Sequence, residues 1–155
     1  MKFLIIIPAH NEEENIFFCL ESLKNQTFQD FKCVIVNDGS TDKTQEIAEM
    51  YKVQSTKYKV LNLEKSEHQP GAKVVRTFNK GLETENLENF DVVCKFDADI
   101  IFPADYLEKI NEVYEKNPKA GMVSGLVYIK KGFDSAQPDK KDFTTSQLHD
   151  FTNQN

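Results

Sequence analysis

The chain has 155 residues, the size of a single domain able to bury a respectable core, and a formal net charge of −6. At 39% hydrophobic and 28% charged it has the composition of a soluble globular protein. Its acidity excludes the basic surface that a nucleic-acid binder normally presents. An anionic ligand must then be held by local cations, backbone amides or a metal, not by the overall field.

Phe3 to Pro8 is a continuous apolar run of strand length, the mark of a strand covered on both faces. Asn11 reads as a helix N-cap, with Glu12, Glu13 and Glu14 in the first turn, where the helix dipole favours negative charge. Ile16, Leu20 and Leu23 recur at helical spacing and carry that helix to about Asn25. Phe31 to Val36 is a second apolar strand, ending at Asn37-Asp38-Gly39. Ser40 or Thr41 is positioned to cap the next helix, which carries Ile47, Ala48 and Tyr51 on one face.

Tyr58 to Leu63 makes a third, more polar strand, and a helix follows from about Gly71 to Leu82 with Val74, Val75 and Phe78 apolar. Val92 to Phe96 reads as a buried strand, and Pro103 starts a helix with Tyr106, Leu107, Ile110 and Tyr114 inward. Gly121 to Ile129 reads as one more strand. From Lys131 to Asn155 the chain is polar with scattered aromatics and no clear period, a flexible tail or a substrate-facing loop. Regular alternation of strand and helix predicts a mainly parallel sheet with helices on both faces. In such sheets ligands bind outside the carboxyl ends of the strands.

Cys19, Cys33 and Cys94 are widely spaced, lack a Cys-x-x-Cys pair and fall in segments read as buried, so reduced core thiols of a cytoplasmic protein are expected. The apolar start is too short for a signal peptide, and no stretch has transmembrane length. Any contact with the inner face of a membrane would have to come from elsewhere.

Three polar motifs sit at expected strand ends: His10 to Glu12, Asn37 to Thr41, and Asp97-Ala98-Asp99. Asp-x-Asp alone is common in caps and turns, but at the end of a rigid strand its two carboxylates can converge on one Mg²⁺ or Mn²⁺. Asn37-Asp38-Gly39 suits a hairpin turn, yet the segment after it is helical, which leaves Asp38 to accept an N–H from a base or a ribose hydroxyl. Lys73, and Arg76 one turn later, lie where a helix N-terminus could help cradle a diphosphate. His68 and His149 lack zinc-like spacing, and no serine or cysteine sits in a nucleophile elbow.

Taken in order, four segments resemble the nucleotide-binding half of the family 2, GT-A-fold glycosyltransferases. They are Ile7-Pro8-Ala9-His10-Asn11-Glu12-Glu13, Val36 to Asp42, Gly71-Ala72-Lys73 through Asn79-Lys80-Gly81-Leu82, and Phe96-Asp97-Ala98-Asp99 followed by Pro103 to Leu107. The resemblance covers residues 1 to 130 and implies a Rossmann-like GT-A domain, C-terminally incomplete, that binds a nucleotide-diphospho-sugar, a UDP-sugar being favoured. By that resemblance Pro8, Ala9 and Glu12 flank the nucleoside, His10 stacks on the base, and Asp38 contacts the base. Lys73 lies near base or diphosphate, Asp97 meets ribose or metal, and Asp99 ligates the ion. The family inverts the anomeric centre with an acidic base from a motif downstream of the metal triplet. No carboxylate up to Asn155 stands in that context, so the chain reads as a fragment of an enzyme acting on a glycan or lipid-linked acceptor in polysaccharide biosynthesis. The alternative is a non-catalytic nucleotide-sugar-binding module. A nucleotidyltransferase is disfavoured because Pro8-Ala9-His10-Asn11 replaces the Gly-rich, Arg-containing loop it would need.

Overall fold

Four parallel strands, β1 (Phe3–Ala9), β2 (Phe31–Asp38), β3 (Tyr58–Leu63) and β4 (Val92–Lys95), pair in the order β3-β2-β1-β4. The computed structural model describes residues 1–64 and 72–126. Alternation sorts the apolar run of β1 onto two faces. Phe3, Ile5 and Ile7, with Cys33 and Ile35 of β2, meet α1 (Ile16–Lys24), α2 (Thr44–Gln54) and α4 (Tyr106–Lys116). Leu4 and Ile6, with Val34 and Val36, face Phe78 and Leu82 of α3 (Ala72–Leu82) and Phe90. Phe3, Leu4, Ile5, Ile6, Ile7, Val34, Ile35 and Val36 are fully buried, which stabilises the fold by about 1.5–3 kcal/mol per side chain.

The connections explain which helix covers which face. The β1–α1–β2 and β2–α2–β3 units step in one direction across the sheet. The β3–α3–β4 unit returns over β2 and β1 to the opposite edge, and a right-handed crossover therefore lays α3 on the other face. Strand order reverses between β1 and β4, which makes their carboxyl ends the topological switch point. Gly81 allows α3 to sit close on the two central strands: a Cβ at that position would stand 2.6 Å from Ile6 Cγ2 and 2.9 Å from Val36 Cγ2.

The parallel sheet and the helical faces agree with the sequence reading, and several local details differ. Asn11 is not an N-cap. It adopts φ 57°, and α1 starts only at Ile16, so Glu12, Glu13 and Glu14 precede the helix. Neither Ser40 nor Thr41 caps α2; Asp42 does the local bonding instead, accepting both the N–H and the hydroxyl of Thr44 through Oδ1. The strand before the Asp triplet is half-exposed rather than buried, with Val93 43% accessible, because β4 is an edge strand among the described residues. Cys94 is accordingly only partly buried, whereas Cys19 and Cys33 are fully enclosed; all three are free thiols. Val74 and Val75 are exposed on α3.

Residues 121–126 form no strand, having no ladder partner among the described residues, and Met122 and Leu126 are exposed. The rest of that expected strand, the Gly71 helix entry, His68 and the polar segment 131–155 lie outside the described residues. Among the described residues no helix is long and apolar enough to cross a membrane.

Candidate functional site

Parity along β2 determines where its terminal carboxylate points. Val34, Val36 and Asp38 share the α3 face, and Asp38 lies at the strand's carboxyl end with only 4% of its surface accessible. Across from it, Lys73, Thr77 and Gly81 recur at i, i+4 and i+8 and so form one stripe along α3. Gly81 meets the strand interior, and the stripe then climbs to the strand end. There the Thr77 hydroxyl donates to Asp38 Oδ2 at 3.0 Å, and Lys73 Nζ lies 3.3 Å from the same oxygen. Thr77 Oγ1 also lies 2.9 Å from the Lys73 carbonyl oxygen, but a hydroxyl has one proton and the ionised acceptor attracts it more strongly. Arg76 is exposed.

On the other side of β2, the loops after β1 and β2 are laced together. The N–H groups of Asn11, Glu12 and Glu13 donate to Ser40 Oγ, Thr44 Oγ1 and Asp42 Oδ2 at 3.0, 2.7 and 3.0 Å. In return, Thr41 N–H donates to Asn11 Oδ1 at 2.9 Å and Lys43 N–H to Glu13 Oε2 at 3.1 Å. These bonds are the physical reason that Asn11 leaves the helix: its neighbours' amides are taken by the second loop. Burial would raise the Asp42 carboxyl, but the hydrogen bonds from Thr44 and from the Glu13 amide outweigh it and hold Asp42 below its ordinary value. Asn37 braces the same region, accepting from Ser40 N–H and donating to Asn62 Oδ1 of β3.

His10 is fixed by this arrangement. Its Nδ1 lies 2.7 Å from the Asp38 carbonyl oxygen, which can only accept, so Nδ1 carries the proton and Nε2 is the acceptor of the neutral ring. Pro8 and Ala9 close β1 opposite Val36 and Asn37. Pro8, Ala9, His10 and Asp38 therefore share one strand-end neighbourhood, with Lys73 above it.

The third motif follows β4. Asp97 and Asp99 are both exposed, and the Asp97 carboxylate pairs with Lys95. The Asp97 carbonyl oxygen accepts from Cys19 Sγ at 3.8 Å. Burial, followed by the charges of Asp99, Glu12 and Asp97, pushes the Cys19 thiol up to about 12. Among the described residues no group of three or more His, Cys, Asp or Glu side chains could hold a metal ion. Two exposed carboxylates fit an ion such as Mg²⁺ or Mn²⁺, which takes its remaining ligands from water and phosphate oxygens.

Several residues that hold the site were not singled out in the sequence. Behind the Asp triplet, Gln26 is buried between α1 and α4. Its Nε2 donates to the Pro103 and Ser22 carbonyl oxygens at 2.7 and 2.9 Å, and its Oε1 accepts the Leu107 N–H at 2.9 Å. Ser22 Oγ accepts the Phe102 N–H at 3.1 Å, and Thr27 N–H donates to the Ala104 carbonyl oxygen at 2.8 Å. Glutamine in a helix-terminal turn has no local signature for such a clamp. Thr77 did have one, the i, i+4, i+8 spacing that it shares with Lys73 and Gly81.

EpsH of Bacillus subtilis is 36% identical over 106 residues, which is 68% of this chain and 28% of EpsH. The amylovoran biosynthesis glycosyltransferase AmsB of Erwinia amylovora is 32% identical over 130 residues, 83% of this chain and 40% of AmsB. Among solved structures, S. aureus TarS 1–349 in complex with UDP-GlcNAc superposes with a TM-score of 0.65 at 30% identity, covering 76% of this chain and 32% of TarS. The chain thus spans well under half the length of the relatives it matches. The profile described as Glycosyl transferase family 2 matches residues 4–155, and the chain belongs to that family, with its GT-A-type parallel sheet.

Proposed function

We propose that this chain is the donor-binding part of an inverting, metal-dependent glycosyltransferase that moves a sugar from a nucleotide-diphospho-sugar to a glycan or lipid-linked acceptor. The observation that carries the proposal is the gathering of polar groups about the switch point. Asp38 stands at the end of β2, His10 follows β1, and Asp97 and Asp99 follow β4. A UDP-sugar is the favoured donor, in keeping with the UDP-GlcNAc bound by TarS.

In this reading Asp38 accepts an N–H from the base, and the His10 ring, pinned through Nδ1, offers a face for stacking. Pro8, Ala9 and Glu12 border the nucleoside. Lys73, paired with Asp38, acts on the base side of the donor rather than at the diphosphate. Asp97 and Asp99 would hold a divalent cation, which, when bound, neutralises the negative charge growing on the leaving diphosphate. Asp97 must exchange its partner Lys95 for that ion. The base that deprotonates the acceptor hydroxyl is assigned to none of the described residues.

Calorimetric titration of UDP, GDP and their sugar conjugates, with Mn²⁺ and with chelator, tests the proposal. Metal-dependent binding of one nucleotide is expected, and Asp99→Ala should abolish the metal dependence while leaving the melting transition in place. Wild-type affinity in the Asp99→Ala chain would refute the metal assignment. Absence of binding to every nucleotide would refute the donor site. Binding with neither transfer nor donor hydrolysis in the complete protein would identify a non-catalytic module.

A further inference from the structure

Asp38 is nearly enclosed, yet its two oxygens are used unequally. Both the Thr77 hydroxyl and Lys73 Nζ address Oδ2, at 3.0 and 3.3 Å. The hydroxyl donates a hydrogen bond and the ammonium forms an ion pair, so Oδ2 is the oxygen that the protein engages. Oδ1 receives no hydrogen bond from any described residue. A carboxylate oxygen left open at a strand end accepts one more donor, and it repels any acceptor brought to the same place.

We infer that Thr77 is a positioning residue for the donor's base: by occupying Oδ2 together with Lys73 it leaves Oδ1 as the reading atom, which selects bases carrying a ring N–H. The inference rests on the donor-site reading above and specifies its substrate class. Uracil and guanine, in their keto forms, present a protonated ring nitrogen to such an acceptor. Cytosine and adenine present a lone pair at the equivalent ring nitrogen, and their amino groups are offset from it. Specificity then comes as much from the repelled lone pair as from the bond made.

Three features of Thr77 support this role. It is 3% accessible, so its hydroxyl serves the protein interior and not solvent. It lies one helical turn from Lys73 on the face that packs over β2. The same helix is seated on the sheet by Gly81, which fixes its distance from Asp38. Lys73 alone would supply charge without direction, since an ammonium on a flexible stem can address either oxygen. The short, β-branched Thr77 side chain restricts the choice to one.

The test compares UDP and CDP binding, each with Mn²⁺, by calorimetry on the 155-residue chain and its Thr77→Val and Thr77→Ser variants, with thermal melts alongside. Wild type should prefer UDP by about ten- to a hundredfold, the range expected for one hydrogen bond to a charged group. Thr77→Val should reduce that preference by about tenfold and Thr77→Ser should restore it. If valine prevents folding, Thr77→Ala is expected to give the same loss of preference. An unchanged UDP:CDP ratio in a folded Thr77→Val or Thr77→Ala chain would overturn the role of Thr77 while leaving the donor site standing. Equal wild-type affinity for UDP and CDP would overturn the selection of ring N–H bases. Failure of wild type to bind either would overturn the donor site and this inference together.

Discussion

Replacing Gly81 with alanine separates two opposing effects at one position. Gly81 is an ordinary helical residue without a positive φ, so alanine suits its backbone and should gain about 1 kcal/mol of helix propensity. The added methyl, however, would stand 2.6 Å from Ile6 Cγ2 and 2.9 Å from Val36 Cγ2. Reaching even a 3.4 Å contact with Ile6 requires a displacement of roughly 0.8 Å, the difference between 3.4 and 2.6 Å. Ile6 and Val36 are β-branched, fully buried and set in the two central strands, so neither can rotate aside cheaply. Overpacking of this kind costs about 2–3 kcal/mol, in the upper part of its usual range. Net destabilisation of about 1–2 kcal/mol is therefore expected, measured by urea unfolding followed by circular dichroism. Lifting α3 would also lengthen the 3.0 Å Thr77–Asp38 bond and weaken nucleotide binding. Removing the obstructing methyls with Ile6→Ala should cost at least about 1 kcal/mol less in the Gly81→Ala chain than in wild type. A Gly81→Ala protein as stable as wild type would refute the close-seating argument.

Two further outcomes test the support of the site. Gln26→Leu should destabilise the fold by about 2–4 kcal/mol in a thermal or denaturant melt, because the Pro103 carbonyl oxygen and the Leu107 N–H lose a buried partner; a loss below about 0.5 kcal/mol would show that water replaces the clamp. Burial pushes Cys94 up to about 12, and burial with nearby carboxylates does the same to Cys19. Each thiolate is then about one part in ten thousand at pH 8, so alkylation should be slow in the native chain and accelerate sharply in denaturant. Rapid native labelling of Cys19 would contradict its enclosure against Asp97.

The sheet was legible because its strands are apolar runs bounded by turn residues, and because helix-period segments alternate with them. The functional loops were legible as motifs but not as conformations. Asn11-Glu12-Glu13-Glu14 has every local sign of a capped helix start, yet its amides bond to Ser40, Thr44 and Asp42, some 30 residues away, and α1 begins later. The same long-range exchange removed Ser40 and Thr41 from capping α2. Exposure of β4 was hidden because Val-Val-Cys reads alike in a central and an edge strand. Lys73 and Asp38 were each named for a ligand, and their meeting depended on a crossover that local pattern does not report. The Gln26 clamp was invisible for a related reason: its partners, Pro103 and Leu107, lie 77 and 81 residues on.

The lacing of the two strand-end loops has a consequence for redesign. Neither loop owns its shape: Thr41 and Lys43 donate to side chains of the first loop, and amides of the first are held by side chains of the second. A chimaera that imports the β1 loop from a relative but keeps the native β2 loop would inherit half of a mutual template. Both segments, residues 10–15 and 37–44, behave as one heritable module despite being separated by a helix and a strand. Exchange of donor preference between relatives should therefore succeed when the pair travels together, and compensating substitutions should accumulate across the seam between them.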